Sequence, residues 1–441
     1  MMKSVRVPVA IAALMALSAC GIFKGGGKAK TPVLGNRVPI LVSESGAEAD
    51  KSLAGVQVLL PAPAANEAWT QPGGDPSKSM GHPALGATLS RVWSATINGG
   101  SPRERLAASP VVADNKLFII DVNAVVHAFA ADTGRALWTA EVSRDKENRK
   151  ARFGGGVSYD DGKLFAATGV GEVVALNAAD GAILWRAKPG GPLRGAPTVS
   201  NGAIYMLSQD NQLFAMSEAD GAVQWTRSGS LESQGVFGVA APAAGRGTIV
   251  AGFSSGELNA YRYENGLPLW SDTLSRSSVT TSVSSLADID ASPVIDGTRV
   301  YAVGQGGRVV ALELTTGRRL WEQNFAGIST PWIAGEWLFV VTDDARLVCL
   351  SRANGKVRWI SDLGGFRNAK KHKGLITWSG PVLAGGRLFA VSSRGEIAAV
   401  SPESGAIVER IKGAAPFSLG PVVANNMLFV IDGKGRISAY R

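Results

Sequence analysis

Few residues in this 441-residue sequence have the types and spacing that catalysis or metal binding would require. Gly252–Gly256 matches the Gly-x-Ser-x-Gly pattern of serine hydrolases, which presents a nucleophile only where a strand turns sharply into a helix. Here the pattern falls where a tight turn between two strands is expected, so we predict a structural turn. His82, His127 and His372 are far apart in the sequence and form no metal-binding motif. We therefore expect no catalytic residue and no metal site.

Asp288 and Asp290 form the most notable carboxylate pair, since only Ile289 separates them. A calcium loop of the EF-hand type needs glycine at its sixth position, where this sequence has Pro293. We therefore predict an exposed acidic pair on a loop rather than a cation site.

A tryptophan recurs four residues after a turn glycine, which marks an internal repeat. Turn-forming residues such as Asp180 and Asn265 precede these glycines. A further copy has Gly405 with Glu409 in the tryptophan position, and Trp93 lies on an earlier strand outside the repeats. We predict that the tryptophans cover the seams between repeat units. The glycine and tryptophan pairs are Gly134 and Trp138, Gly181 and Trp185, Gly221 and Trp225, Gly266 and Trp270, Gly317 and Trp321, and Gly355 and Trp359.

Each repeat reads as a series of short strands with period-2 alternation, separated by turns. Eight such units begin near Ser109, Gly154, Gly195, Gly238, Ser292, Thr330, Gly380 and Gly420. This pattern predicts an all-β fold, an eight-bladed β-propeller of four-stranded antiparallel blades. Because the eighth unit stops after its third strand, we predict that the N-terminal strand Leu89–Ile97 supplies the fourth and closes the ring.

The N-terminus has the features of a bacterial lipoprotein signal. A short basic segment precedes the apolar run Val7–Ala16, which is too short to span a bilayer, and Leu17–Cys20 resembles a lipobox. We predict a signal peptide over residues 1–19 and a lipid on Cys20. With Cys20 modified, only Cys349 remains, so no intramolecular disulfide is expected.

The rest of the chain divides into three parts. Residues 20–60 are predicted to be a lipidated tether, residues 61–87 an arm packed on the propeller surface, and residues 88–441 the propeller. The net charge is +9, but no basic stripe interleaved with aromatic residues indicates nucleic acid.

The connections between blades differ in length, and the long ones should collect on one face of the ring. Such loops on a rigid scaffold commonly bind partners, so this face is the candidate binding surface. Two long connections are basic, over residues 144–152 and 367–373, and their charge fits either a binding role or simple solvation.

The Asp-x-Gly-x-x-x-Trp repeat resembles that of pyrroloquinoline-quinone dehydrogenases, which bind calcium through acidic ligands and in several cases carry a disulfide of adjacent cysteines. This sequence cannot form that disulfide and has no matching acidic set. Together with the lipobox, the repeats resemble the BamB family, propeller lipoproteins of the outer-membrane β-barrel assembly machinery.

The BamB resemblance implies a function and a set of contact residues. Leu286–Val294 resembles the family stretch Leu-x-Asp-Val-Asp-x-x-Pro-Val, whose aspartates contact the barrel subunit BamA, so Leu286, Asp288 and Asp290 are expected contacts. A second family loop, rich in leucine and carrying Arg-Gly, falls near residues 230–235, although the arginine is absent. Its expected contact residues are Leu231, Glu232, Gln234 and Gly235.

The same resemblance implies a scaffold without enzymatic activity or cofactor. It would be lipid-anchored on the periplasmic face of the outer membrane and would bind the periplasmic domains of BamA and other assembly subunits. Unfolded barrel clients are further candidate partners. Two alternatives remain at this stage. One is a quinoprotein oxidoreductase, and the other is an envelope propeller with a different ligand.

Overall fold

The computed structural model describes residues 48–101, 104–230, 239–274, 288–305 and 307–441. These residues form eight antiparallel sheets of four strands each, together with one short two-stranded hairpin. The prediction of an eight-bladed β-propeller is confirmed. None of the described helices is long and apolar enough to cross a membrane.

The blades are numbered in chain order, from the inner strand outward. Blade 1 contains β2 (Val111–Ala113), β3 (Lys116–Ile120), β4 (Val125–Ala130) and β5 (Ala136–Glu141). Blade 2 contains β6 (Gly155–Asp160), β7 (Lys163–Thr168), β8 (Val173–Asn177) and β9 (Ile183–Ala187). Blade 3 contains β10 (Thr198–Ser200), β11 (Ala203–Leu207), β12 (Gln212–Ser217) and β13 (Val223–Ser228). Blade 4 contains β14 (Ala243–Gly245), β15 (Thr248–Gly252), β16 (Glu257–Arg262) and β17 (Pro268–Thr273).

The second half of the ring repeats the pattern. Blade 5 contains β18 (Val294–Asp296), β19 (Arg299–Gly304), β20 (Arg308–Glu313) and β21 (Arg319–Gln323). Blade 6 contains β22 (Trp332–Ala334), β23 (Trp337–Val341), β24 (Arg346–Ser351) and β25 (Val357–Asp362). Blade 7 contains β28 (Trp378–Ala384), β29 (Arg387–Ser392), β30 (Glu396–Val400) and β31 (Ile407–Lys412). Blade 8 contains β32 (Val422–Ala424), β33 (Met427–Ile431), β34 (Arg436–Tyr440) and β1 (Arg91–Thr96). The small hairpin pairs β26 (Phe366–Asn368) with β27 (Lys373–Leu375), and single 3₁₀ turns cover Lys51–Leu53, Arg149–Ala151 and Ala369–Lys371.

The burial of the strands follows their position in the blade. Second strands such as Trp337–Val341 are buried along their whole length, because neighbouring blades cover both faces of the sheet. Outer strands are more exposed, as in Pro268–Thr273, where Trp270 is the buried residue. Where it is present, the outer tryptophan contacts the next blade along the rim.

Each outer tryptophan packs on the turn glycine of the following blade. Trp270, for example, covers Gly317, where a Cβ atom would lie 2.6 Å from the indole ring. Its Nε1 donates a hydrogen bond to the Leu314 carbonyl oxygen at 2.7 Å. The same two contacts recur at Trp93, Trp138, Trp185, Trp225, Trp321 and Trp359. The glycine is needed both for its positive φ and for the space that the indole occupies.

The one repeat without this tryptophan has a structural reason. Blade 7 carries Glu409 at the position, and the next blade is blade 8. The outer strand of blade 8 comes from the N-terminus, so that blade has no turn between its third and fourth strands. An indole at Glu409 would therefore find no turn glycine to cover.

The ring is closed by the N-terminal strand, as predicted. Strand β1 pairs antiparallel with β34, with Trp93 opposite Ala439. Reciprocal backbone hydrogen bonds between Ser90 and Arg441, at 2.8 and 2.9 Å, extend the pairing. The first and last described segments of the propeller thus belong to one sheet.

The arm, residues 61–87, packs against the inner part of the propeller. Its middle part crosses the end of the central channel at which each inner strand turns into the second strand of its blade. Trp69 forms reciprocal backbone hydrogen bonds with Val112 of blade 1, and its side chain is only 3% exposed. Its indole stacks on Trp332 of blade 6, with ring centroids 5.8 Å apart.

The arm contacts the inner part of every blade, because inner strands have a free edge of backbone N–H and C=O groups. In blade 3 the Gln71 side-chain amide replaces a strand partner and bonds both the N–H and the carbonyl of Val199. Further bonds join Thr70 to Tyr159, Pro76 to Ala244, Ser77 to Ile295, Gly81 to Trp332, Pro83 to Gly385 and Asn66 to Asn425. These contacts are made mostly by the backbone and leave no hydrophobic period in the sequence, so the sequence did not show which part of the propeller the arm contacts.

The described end of the predicted tether, residues 48–60, also contacts the propeller. The backbone N–H of Asp50 bonds the Val357 carbonyl at 2.8 Å, and that of Val58 bonds Glu403 at 2.9 Å. The part of the chain from Asp50 onward therefore lies against blades 6 and 7.

Candidate functional site

One end of the ring carries both the hairpins between second and third strands and the connections between blades. We call it the connection face; its parts near the site are the hairpins 208–211 and 253–256 and the connections 188–197 and 288–293. The arm lies at the opposite end of the channel. The connection face is thus the end at which the predicted contact residues Asp288 and Asp290 lie.

Both aspartates bind one buried arginine from another blade connection. Arg194 Nη2 lies 2.7 Å from Asp288 Oδ1 and 3.2 Å from Asp290 Oδ1. The side chain of Arg194 is 1% exposed, that of Asp288 2% and that of Asp290 10%. The prediction of an exposed acidic pair is therefore wrong, because a cation 94 residues earlier in the chain covers both carboxylates.

This ionic cluster does not satisfy all of its polar atoms. Among the described residues, Arg194 Nε, Arg194 Nη1 and Asp288 Oδ2 have no hydrogen-bond partner although they are buried. Buried polar groups usually have partners, and unpaired ones cost free energy. The cluster therefore has hydrogen-bonding capacity left for water or for groups of a partner.

The chemistry of the cluster is set by its burial. Burial and, to a smaller extent, repulsion from Asp288 raise the pKa of Asp290 to about 6 against the opposing effect of Arg194. Two carboxylates and one guanidinium share the site, so ionising both acids leaves one negative charge without a cation.

The segment 288–290 is fixed by the hairpins beside it. The Ile289 N–H bonds the Phe253 carbonyl at 3.3 Å, and the Gln305 N–H bonds the Asp288 carbonyl at 3.0 Å. Ile289 is fully buried against Gly252, where a Cβ atom would lie 2.4 Å from its side chain. The first glycine of the Gly-x-Ser-x-Gly pattern therefore makes space for Ile289.

Ser254 of the same pattern is a structural residue. Its hydroxyl donates to Asn211 Oδ1 at 2.7 Å, and its N–H bonds the same oxygen at 3.0 Å. The Asn211 amide nitrogen donates to the Ser230 carbonyl at 2.7 Å. The prediction of a turn rather than a nucleophile agrees with this geometry. The described ends of the two connections, Ser230 and Ile289, thus meet at the hairpin 253–256.

Several predicted site residues lie outside the described residues. They are Cys20, Leu231, Glu232, Gln234, Gly235 and Leu286. The structure brings together Asp288 and Asp290, and it adds Arg194, which the sequence reasoning missed. A signal existed in Leu193-Arg194-Gly195, an arginine flanked by apolar residues and glycine.

The basic loops lie apart from this cluster. Residues 144–152 border a depression of about 470 Å³ that also includes Arg186. Arg152 is largely buried there and binds Glu141 at 3.0 Å. The loop 367–373 forms the exposed hairpin of β26 and β27.

No group of three or more potential metal ligands occurs within the part of the chain that the structure describes. His127 pairs with Asp121 at 3.0 Å, and His82 bonds the backbone of Pro61 and Gly386. Cys349 is fully buried, and burial raises the pKa of its thiol strongly. His127 and His82 are thus held by hydrogen bonds within the fold, and Cys349 is held by packing.

A family model for the outer membrane protein assembly factor BamB matches residues 122–361 and 366–441. The chain belongs to the BamB family. It is 30% identical to the BamB of Salmonella typhimurium over 329 residues, which cover 74% of this chain and 81% of that protein. It is 31% identical to the BamB of Xanthomonas campestris over 320 residues, covering 72% and 74% of the two chains.

Solved structures show how widely this fold is used. The BamB of Moraxella catarrhalis has a TM-score of 0.68 at 18% identity, covering 80% of this chain and all of that one. A europium-containing methanol dehydrogenase has a TM-score of 0.67 at 14% identity, covering 83% and 90%. At such identities the similarity concerns the fold alone, and the BamB family membership rests on the sequence matches.

Proposed function

We propose that this BamB-family chain is a scaffold without enzymatic activity that docks the periplasmic domains of BamA through its connection face. Family membership supports the role in outer-membrane protein assembly. The docking surface would consist of the two connections that carry Leu231–Gly235 and Leu286–Asp290. Other assembly subunits and unfolded barrel clients are further proposed partners.

The observation that carries this assignment is the convergence of the two connections on one hairpin. Ser230 and Ile289 are both fixed at or beside 253–256, so the loops that begin and end there leave the propeller from neighbouring points. Neighbouring loops can offer a partner a continuous surface, with the apolar Leu231 and Leu286 as anchors.

The burial of the aspartates changes the role that we assign to them. Asp288 positions the connection by binding Arg194 and is not itself presented to solvent. Asp290 is less buried and lies at the channel mouth. We infer that the ionic cluster holds the connection in a docking-competent conformation and can complete its hydrogen bonds with partner groups.

Capture of BamA from solubilised membranes tests the docking surface. Leu231→Asp and Leu286→Asp should each weaken capture by at least about tenfold, since losing an interface anchor costs about 1–4 kcal/mol. The melting temperature of both variants should stay close to that of the parent. Asp288→Asn should reduce capture and lower the melting temperature together, as expected of a positioning residue.

A charge reversal in the exposed hairpin of β26 and β27, Lys370→Glu with Lys371→Glu, is the matched control. It should leave capture unchanged. Full capture by both leucine variants, or loss of capture by the control alone, would place the docking surface on other loops.

We also propose that Cys20 carries a lipid that anchors the chain to the periplasmic face of the outer membrane. The lipobox supports this assignment. Cys20→Ser, expressed in cells depleted of BamA, should fractionate with the soluble periplasm, whereas sedimentation with the outer membrane would contradict the anchor.

A further inference from the structure

The channel holds a cavity of about 210 Å³ between the arm and the connection face. Its floor is formed by the arm residues Trp69, Pro72, Gly73 and Lys78. Its walls are the residues that precede or begin the inner strands, and Asp290 lies among them. The arm therefore converts an open channel into a pocket with one mouth.

Lys78 is the unusual member of this floor. Its side chain is among the largest fully buried ones, with the residue 2% exposed. Its Nζ donates to Thr198 Oγ1 at 3.1 Å and forms no ion pair with any carboxylate of the described residues. An ammonium group has three N–H donors, so two of them have no protein acceptor in this part of the chain.

The turn around Lys78 holds the side chain in place. Asp75 Oδ1 accepts hydrogen bonds from the Lys78 N–H at 2.6 Å and from the Ser77 hydroxyl at 2.8 Å. Gly73 leaves space for the Lys78 stem, since a Cβ there would lie 2.9 Å from Lys78 Cβ. The arm thus packs specifically around a long cationic side chain.

Structural stability alone gives no reason for a cation at this position. Burying an unpaired charge is costly, and an apolar side chain of similar length would fill the space without that cost. Burial lowers the pKa of Lys78 to about 7, which is how the protein tolerates the group when the pocket contains no anion.

Other lining groups also offer hydrogen atoms. Ser292 Oγ accepts the Ala241 N–H at 3.1 Å, and Thr330 Oγ1 accepts the Ser292 N–H at 3.2 Å. Each hydroxyl keeps its own hydrogen, for which the described residues provide no acceptor. The Trp69 indole N–H likewise has no acceptor in the described part of the chain.

We propose that this cavity is a binding site for a small organic carboxylate, with the Lys78 ammonium on the carboxylate and the Trp69 and Trp332 indoles against the apolar body of the ligand. A single lysine suits one negative charge. Multiply charged phosphates are usually held by bidentate arginines, and the lining contains no arginine. Val382 and Leu419 extend the apolar wall.

The proposal is independent of docking to BamA. Lys78 lies at the arm end of the channel, and the described ends of the proposed docking loops lie on the connection face. Lys78→Met should therefore keep full capture of BamA, so failure of either proposal can be distinguished from failure of the other.

Calorimetric titration of the full mature chain with sodium benzoate tests the site. We expect saturable binding to the parent chain, at least tenfold weaker binding to Lys78→Met, and unchanged binding to Lys356→Met. Lys356 is a matched control because it pairs with Asp50 outside the channel and is 45% exposed. Benzyl alcohol, which lacks the carboxylate, and inorganic phosphate, which lacks the apolar body, should bind neither the parent nor the variant.

Proton uptake provides a second measurement that does not depend on a variant. An anion beside Lys78 raises the pKa of the ammonium, so binding slightly above neutral pH should take up a proton, visible as a dependence of the heat on the buffer. Asp75 in the arm and Asp290 in the wall are the other ionisable groups near the cavity, and Asp290 is already partnered by Arg194.

The outcomes are distinct. Saturable benzoate binding that requires Lys78 and takes up a proton supports the site. The proposal would be overturned if binding did not saturate by about 10 mM benzoate, because binding that weak does not indicate a specific site. Equal binding of benzyl alcohol, binding of phosphate in place of benzoate, or unchanged binding by Lys78→Met would also overturn it.

Discussion

At one end of the central channel, the arm is held by backbone hydrogen bonds and by the stacked indoles of Trp69 and Trp332. At the connection face, one buried arginine instead binds two aspartates. The arm pairs with backbone groups of the inner strands, as the reciprocal bonds of Trp69 with Val112 show. The ionic cluster instead leaves Arg194 Nε, Arg194 Nη1 and Asp288 Oδ2 without partners.

This difference separates two ways of holding a propeller together. Neutral backbone hydrogen bonds, like those between the arm and the inner strands, give stability that does not depend on a partner. A buried ionic cluster gains little net stability from its charges, but breaking it is costly because it leaves a charge unpaired. We infer that the arm end provides rigidity and that the connection face carries the conformational specificity that docking needs.

The largest expected effect is at the arm end. Trp69→Ala should lower the free energy of unfolding by about 3–5 kcal/mol, because it removes a buried indole and leaves a cavity beside Trp332. Urea titration measures this loss. Leu59→Ala, at a position 72% exposed, is the control and should change stability very little. Equal stability of the two variants would show that the arm is not part of the folded core.

A somewhat smaller effect is expected at the connection face. Asp288→Ala should lower the free energy of unfolding by about 3 kcal/mol, since Arg194 keeps only the longer contact to Asp290. Combining Asp288→Ala with Arg194→Met should restore part of the loss, because no unpaired cation remains. If the single variant changed stability by less than about 0.5 kcal/mol, the value typical of surface sites, Asp288 would be the exposed residue that the sequence suggested.

The seams of the propeller could be predicted from the sequence because their determinants are local. A turn glycine and a tryptophan four residues later belong to one unit. Their repetition predicts the contact between blades, and the eight unit starts give the number of blades. The deviation at Glu409 was also visible, although its reason, a missing turn in blade 8, required the closed ring.

The ionic cluster and the arm could not be predicted in the same way. Arg194 and Asp288 are 94 residues apart and lie in non-consecutive connections, so only the ring curvature brings them together. The arm binds through backbone groups and the single amide of Gln71, and neither produces a hydrophobic period. Sequence reasoning placed the aspartates on the correct connection but could not see the cation that buries them.

The smallest predicted effect is a pH-dependent change in folding stability caused by Asp290, which lies on the connection face. Its pKa in the folded chain is raised to about 6 from an ordinary value of 3.8. Because the folded state holds this proton more tightly than the unfolded state, the cost of ionising Asp290 is fully present above pH 6 and disappears as the pH falls through about 4. Asp290→Asn removes that cost, so it should stabilise the chain above neutral pH by about 1–3 kcal/mol and lose this advantage in acid.

Asp343, whose pKa burial also raises to about 6, is present in both proteins, so its contribution cancels in the difference. Urea titrations of parent and variant across this range measure the effect. A pH-independent difference would mean that Asp290 remains ionised throughout, held by Arg194.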